Sequence, residues 1–215
     1  MDYQAEKMFV NNASHEINNP LTAIQGECEI GLMMDHQPAE YRDILGRISK
    51  ETNRIITIMR ELLQFSHARD GRLDKSKMQT LSLSSVVAPE CKGNVKLNII
   101  NDFNVNADSE LLRIAIHNLV GNAVKYSNSN AVAVTINKPN LTIEDRGIGI
   151  PESELSHIFQ PFYRASNVGS VSGKGVGLAL SQSILKRMGA NISVDSHVKT
   201  GTTFKVTFGK CLRDN

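Results

Sequence analysis

Over the first 35 residues, apolar or small side chains fall at Val10, Ser14, Ile17, Leu21, Ile24, Cys28 and Gly31, in alternating steps of four and three. This is the rhythm of a helix seam that packs on other helices. The break Asp35-His36-Gln37-Pro38 separates it from a second series, Tyr41, Leu45, Ile48, Thr52, Ile55, Met59, Leu62 and Ser66, with the same steps. Two such helices joined by a short turn predict an antiparallel hairpin. One hairpin leaves its seam in water, whereas two enclose it. A homodimeric four-helix bundle is therefore expected, with packing against the rest of the chain as the alternative.

The polar stretch from His67 to Lys77 is read as a linker that ends the hairpin. Beyond it the pattern changes. Residues 95–100, 131–136, 140–144, 191–195 and 202–208 read as strands, with a further strand near Leu81 and a turn at Asn137-Lys138-Pro139. Residues 111–125 and 178–188 read as helices, the first capped by Asp108 and the second running to Gly189. Between Ser84 and Gly93 there is room only for a short helix, because Pro89 interrupts it. Intermingled strands and helices predict an α+β sandwich with helices over one face of a sheet. The expected organisation is a helical hairpin over 1–68, a linker over 69–78 and a second domain over 79–215.

Composition narrows the field. The 24 basic and 22 acidic side chains nearly cancel to a formal charge of +2, which argues against a nucleic-acid partner. Cys28, Cys91 and Cys211 lack metal-ligand spacing and read as free thiols in a reducing compartment. No apolar run is long enough for a membrane helix and no leader opens the chain, so a soluble, cytoplasmic segment without membrane contact is expected. The helical pattern already under way at Tyr3, with no cap before it, is compatible with the cytosolic portion of a longer, membrane-anchored receptor.

Four short segments carry candidate chemistry. In Ser14-His15-Glu16-Ile17-Asn18-Asn19-Pro20-Leu21, His15 lies at the edge of the seam, with Glu16 beside it and Asn19 one turn on along the same face. Pro20 leaves the Glu16 carbonyl without its helical donor, so a bend is expected there. A neutral imidazole is a nucleophile, and a neighbouring carboxylate can orient it or take its proton. Taken alone, the same pair also describes a solvated surface histidine. A zinc-protease motif is excluded, because the fourth position on is Asn19 and not a second histidine.

Asn118, Asn122 and Lys125 share one helix face, opposite the apolar stripe Leu112, Ile116, Leu119 and Ala123. Carboxamides and an ammonium can hold a metal-bound triphosphate, and an ordinary solvated face has the same look. Asp145 closes a strand and leads into Gly147-Ile148-Gly149, where a carboxylate can accept from an exocyclic amine and glycines let a ring approach the backbone. A plain turn is the alternative. Gly173-Lys174-Gly175-Val176-Gly177-Leu178 opens a helix and offers amides to phosphate. It fits neither a P-loop nor a dinucleotide fingerprint. Phe159-Gln160-Pro161-Phe162-Tyr163-Arg164 precedes a segment, Ala165 to Ser172, read as a mobile lid.

In their order, these segments resemble the sensor histidine kinases of two-component signalling, over nearly the whole chain. The segment around His15 resembles the phosphoacceptor box, Asn118 to Tyr126 the N box, Asp145 to Gly149 the G1 box, Phe159 to Phe162 the F box and Gly173 to Gly177 the G2 box. The resemblance implies a dimerisation and phosphotransfer hairpin followed by a Bergerat-type ATP-binding domain. It makes His15 the phosphorylated residue and Glu16 its acid/base neighbour, and gives Asn19 the place that orients water for dephosphorylating a response-regulator receiver. It makes Asn122 a Mg²⁺ ligand assisted by Asn118, and sets Lys125, Tyr126, Arg164 and Lys174 near the ATP phosphates. Asp145, with Gly147 and Gly149, would read adenine, and Gly175, Gly177 and Leu178 would line the nucleotide turn. The gyrase, Hsp90 and mismatch-repair ATPases resemble this site too, but they place a glutamate where Asn118 stands. Asn118 cannot serve as a base toward water.

Overall fold

The computed structural model describes residues 3–70, 75–169, 171, 173–209 and 212–213. Compactness divides the chain into two units, Met1–Gln64 and Phe65–Asn215.

The first unit is built on α1 (Tyr3–Met33) and α2 (Pro38–Asp70). α1 passes through Pro20 without a break, and Pro38 starts α2 where a missing amide hydrogen costs nothing. The helices pair antiparallel. Arg47 makes a two-pronged contact with Glu27 at 2.6 and 2.8 Å, Arg54 reaches Glu16 at 3.7 Å, and Gly31 faces Ile44. The expected seams divide between two faces. Ile17, Ile24 and Gly31 turn inward with Pro20, and Ile48, Ile55 and Leu62 turn inward with the buried Ile44 and Ile58. Val10, Ser14, Leu21, Cys28, Tyr41, Leu45, Thr52, Met59 and Ser66 stay exposed within the single chain. The reason is geometric: two apolar series one residue apart, such as 44/58 and 45/59, cover adjacent strips of the same helix.

α2 also continues to Asp70, beyond the expected start of the linker, since no glycine or proline interrupts it before Gly71. Residues 71–74 of that linker lie outside the described residues, and a single 3₁₀ turn over Lys75–Lys77 leads into the next strand.

The second unit holds a five-stranded sheet, in the order β2 (Val95–Asn101), β4 (Val132–Asn137), β5 (Asn140–Asp145), β7 (Gly201–Phe208) and β6 (Ala190–His197). β2 and β4 are parallel and the other neighbours antiparallel. Val132, Val134, Ile136, Leu141 and Ile143 are buried while their neighbours alternate toward solvent, as a half-covered sheet requires. α4 (Ser109–Tyr126) and α5 (Gly177–Arg187) supply the cover, with Leu112, Ile116, Leu119, Ala123, Leu180 and Ile184 in the core. Asp108 caps α4 by accepting from the amides of Glu110 and Leu111 at 3.0 and 3.1 Å. α5 ends before Gly189, whose φ of +78° is the left-handed value a helix stop uses.

A smaller sheet, β1 (Met78–Ser82), β3 (Asn104–Asp108) and β8 (Leu212–Arg213), completes the unit. β3 and β8 were not legible in the sequence: β3 is five residues of mostly polar type, and β8 is two residues long. The expected short helix is α3 (Leu83–Val87), with a 3₁₀ turn through Pro89 behind it. Asp102 serves its start, accepting from the hydroxyls of Ser82 and Ser84 at 2.6 Å each and from the Ser84 amide at 3.2 Å. Cys28 and Cys91 are free thiols, and Cys211 lies outside the described residues.

Candidate functional site

Asp145 is the most informative residue of the second unit. It ends β5 at 4% exposure, and its Oδ1 accepts from the Gly147 amide at 2.9 Å. Burial pushes its carboxyl above the ordinary aspartate range, while the amides of Gly147 and Thr202 pull it back and the charge of Glu144 adds to the rise. A buried carboxylate whose donors among the described residues are backbone amides retains acceptor capacity for a further donor.

The glycines around it are required by space. A Cβ on Gly147 would collide with the Tyr126 carbonyl, and one on Gly149, at φ +67°, with the carbonyl of His197. The amide of Ile148 donates to the Tyr126 carbonyl at 3.2 Å, so this turn is fastened to the end of α4. The second glycine turn reaches α4 as well. Asn118 Nδ2 lies 3.5 Å from the Gly177 carbonyl, and Lys125 lies against Gly173 with its Nζ 4.9 Å from the Tyr126 ring centroid. Ser181, fully buried, donates between the carbonyls of Ala115 and Gly177, locking α5 to α4. The Gly175 carbonyl accepts from the Phe162 amide at 2.8 Å, and a Cβ on Gly175 (φ +72°) would strike the backbone of Phe162 and Tyr163.

Asn118, Lys125, Tyr126, Asp145, Gly147, Gly173 and Gly177 are thus brought together along the C-terminal half of α4. Asn122 and Leu178 are half-buried on the same two helices, and Lys174 is half-buried in the second turn. Arg164 is exposed and donates to the Val171 carbonyl. The start of the expected lid is anchored. Ala165 is buried, Ser166 donates twice to Glu154, and Asn167 donates to the Gly149 carbonyl. Ser170 and Ser172 lie outside the described residues. Sequence reasoning missed Asn167, Ser181 and Thr202. Thr202 lies at the start of a strand that was legible in the sequence, but the register that sets it against Asp145 was not.

In the first unit, His15 and Asn19 are exposed on one face of α1, and Glu16 is half-buried in its ion pair with Arg54. Arg54 is shared with Glu51 at 3.7 Å.

A buried carboxylate before two glycines, a polar helix face and a glycine-opened helix suit a purine nucleotide with an exocyclic amine. Joined in one chain to a helical hairpin that exposes an imidazole, they define a histidine kinase catalytic core. Comparison with known proteins agrees. Residues 5–71 match the family described as the His Kinase A (phospho-acceptor) domain, and residues 107–210 match the family described as histidine kinase-, DNA gyrase B-, and HSP90-like ATPase. The chain belongs to the sensor histidine kinases and comprises their catalytic core, with an ATP-binding second domain.

It is 33% identical over 220 residues to the Escherichia coli signal transduction histidine-protein kinase BarA, spanning 91% of this chain and 24% of BarA. It is 31% identical over 223 residues to Staphylococcus aureus ArlS, spanning 96% of this chain and 49% of ArlS. The chain therefore covers half or less of these relatives. The fold resembles that of the Acinetobacter baumannii histidine kinase AdeS, with a TM-score of 0.63 at 20% identity over 91% of this chain and 98% of that one. Among the described residues no helix is long and apolar enough to cross a membrane, and no group of three or more His, Cys, Asp or Glu side chains could hold a metal ion.

Proposed function

We propose that this core phosphorylates itself on His15 from Mg-ATP and passes the phosphoryl group to an aspartate of a response-regulator receiver domain. The carrying observation is the exposure of His15 on α1 in a chain whose second unit bears the Asp145 glycine turn. Asp145 accepts the base amine, Gly147 and Gly149 admit the ring, and Lys125, Tyr126, Arg164 and Lys174 serve the phosphates, with Gly175, Gly177 and Leu178 lining the turn. Asn122, assisted by Asn118, holds Mg²⁺. A carboxamide oxygen is a hard donor suited to that ion, which neutralises phosphate charge when bound.

At the hairpin, His15 is the nucleophile and Glu16 its acid/base neighbour, its carboxylate paired with Arg54 at 3.7 Å. Asn19, exposed one turn on, orients water for hydrolysis of the receiver's phosphoaspartate. The exposed strip of Val10, Leu21, Leu45 and Met59 supports a homodimer that covers it in a four-helix bundle. The hairpin, the linker after Asp70 and the domain that begins with β1 divide these tasks, and the segment works in the cytoplasm, where ATP is available.

The test is incubation with γ-labelled Mg-ATP, followed by acid and base treatment. Label bound to an imidazole is lost in acid and survives base, and His15→Gln should remove it. Acid-stable label, or label undiminished in His15→Gln, would refute the assignment.

A further inference from the structure

The turn from Gly147 to Ile150 is held on most sides by the framework. The Gly147 amide goes to Asp145, and the Ile148 amide to the Tyr126 carbonyl. The Ile148 carbonyl accepts from Lys199 at 2.9 Å, and the Ile150 amide donates to Ser196 Oγ at 2.9 Å. The Gly149 carbonyl is held otherwise, by Asn167 Nδ2 at 2.8 Å, from the segment that follows Arg164. That segment is itself fixed by Glu154, whose carboxylate accepts from the Ser166 amide at 2.9 Å and its hydroxyl at 2.6 Å.

Asn167 uses only half of its amide. Facing a carbonyl, its NH₂ must be the donor, so the oxygen is left pointing elsewhere. That Oδ1 is buried and has no hydrogen-bond partner among the described residues. Buried acceptors without donors are rare, because their desolvation is uncompensated. One that belongs to the carboxamide bonded to the Gly149 carbonyl points to a donor that arrives with the ligand.

We infer that Asn167 positions the base of the bound nucleotide, fixing Gly149 through Nδ2 and offering Oδ1 to an amine or water that enters with an adenine ring. This rests on the nucleotide reading above and extends it to a residue outside the family motifs. Asn167 is bonded to the base-reading turn through Gly149, so its loss should fall on base selectivity. A purely structural residue would weaken all nucleotides alike.

The experiment compares ADP and GDP on the full chain, wild type against Asn167→Ala and Asn167→Asp, with Mg²⁺ present. Competition against a fluorescent ADP analogue lets weak GDP binding still be read. Asn167→Ala should weaken ADP about fivefold, the loss of one neutral hydrogen bond. GDP should change by less than about twofold, and the melting temperature without nucleotide should hold. Asn167→Asp keeps the size but aims an oxygen at the Gly149 carbonyl, so its ADP loss should be at least as large. Unchanged ADP affinity in both variants, or equal losses of ADP and GDP, would overturn the inference. Early melting of both variants would make the residue structural and overturn it equally. Wild-type protein that binds neither nucleotide would instead remove the nucleotide reading itself.

Discussion

Replacing Asp145 with asparagine separates the cost of burying this carboxylate from its use. In the folded protein its Oδ1 accepts from the Gly147 amide at 2.9 Å, and the Thr202 amide also donates to it. Asparagine keeps one acceptor oxygen and puts an NH₂ where the second stood, against donors. A hydrogen bond to a charged group contributes about 1.5–3 kcal/mol, so ADP affinity should fall by about tenfold to about 150-fold. Stability should respond differently. Burial raises the folded-state pKa of Asp145 above its unfolded value. Such a group favours the fold while protonated, below the unfolded pKa, and that contribution is lost as pH rises through the folded pKa. Above its folded-state pKa the ionised Asp145 is therefore a burden on the empty protein, and Asp145→Asn removes that pH dependence. Calorimetric titration with ADP and thermal melts of the empty protein from pH 4 to 8 read both effects. Undiminished ADP affinity would refute the base-reading role. An unchanged acid-range stability profile would refute the argument from burial.

Asp108→Ala deletes two cap bonds at the start of α4, the helix that carries Asn118, Asn122 and Lys125. It should cost about 0.5–2 kcal/mol, read as a lowered melting temperature, and an unchanged melt would contradict the capping account. Leu45→Glu places a charge on a side chain 63% exposed in the single chain. If that strip is covered by a second copy, each lost leucine removes about 1.5–3 kcal/mol and acts twice across a two-fold axis. Sedimentation should then show monomer, and an undisturbed dimer would exclude Leu45 from the interface. Asn19→Ala should leave the rate of His15 phosphorylation within about twofold while slowing loss of phosphate from the receiver by about tenfold or more. Equal loss of both would contradict a dedicated water-orienting role.

The periodicity of Val10 to Gly31 and of Tyr41 to Ser66 determined two helices and a hairpin, because spacing around a helix is a local property. Local chemistry likewise determined the Asp108 cap, the stop at Gly189, the five main strands and the motif glycines, whose residue types are constrained by their own backbones. Sequence could not say which half of each seam faces the sister helix. Ile44 and Ile58 lie one position from Leu45 and Met59, and only packing selects between adjacent strips. Nor could it find Asn167, Ser181 or the role of Asp102, since each bonds to a partner distant in the chain or held by a separate element. The nucleotide turn was legible as a motif. What holds it in place is a set of long-range hydrogen bonds, and these exist only once the sheet and its helices have assembled.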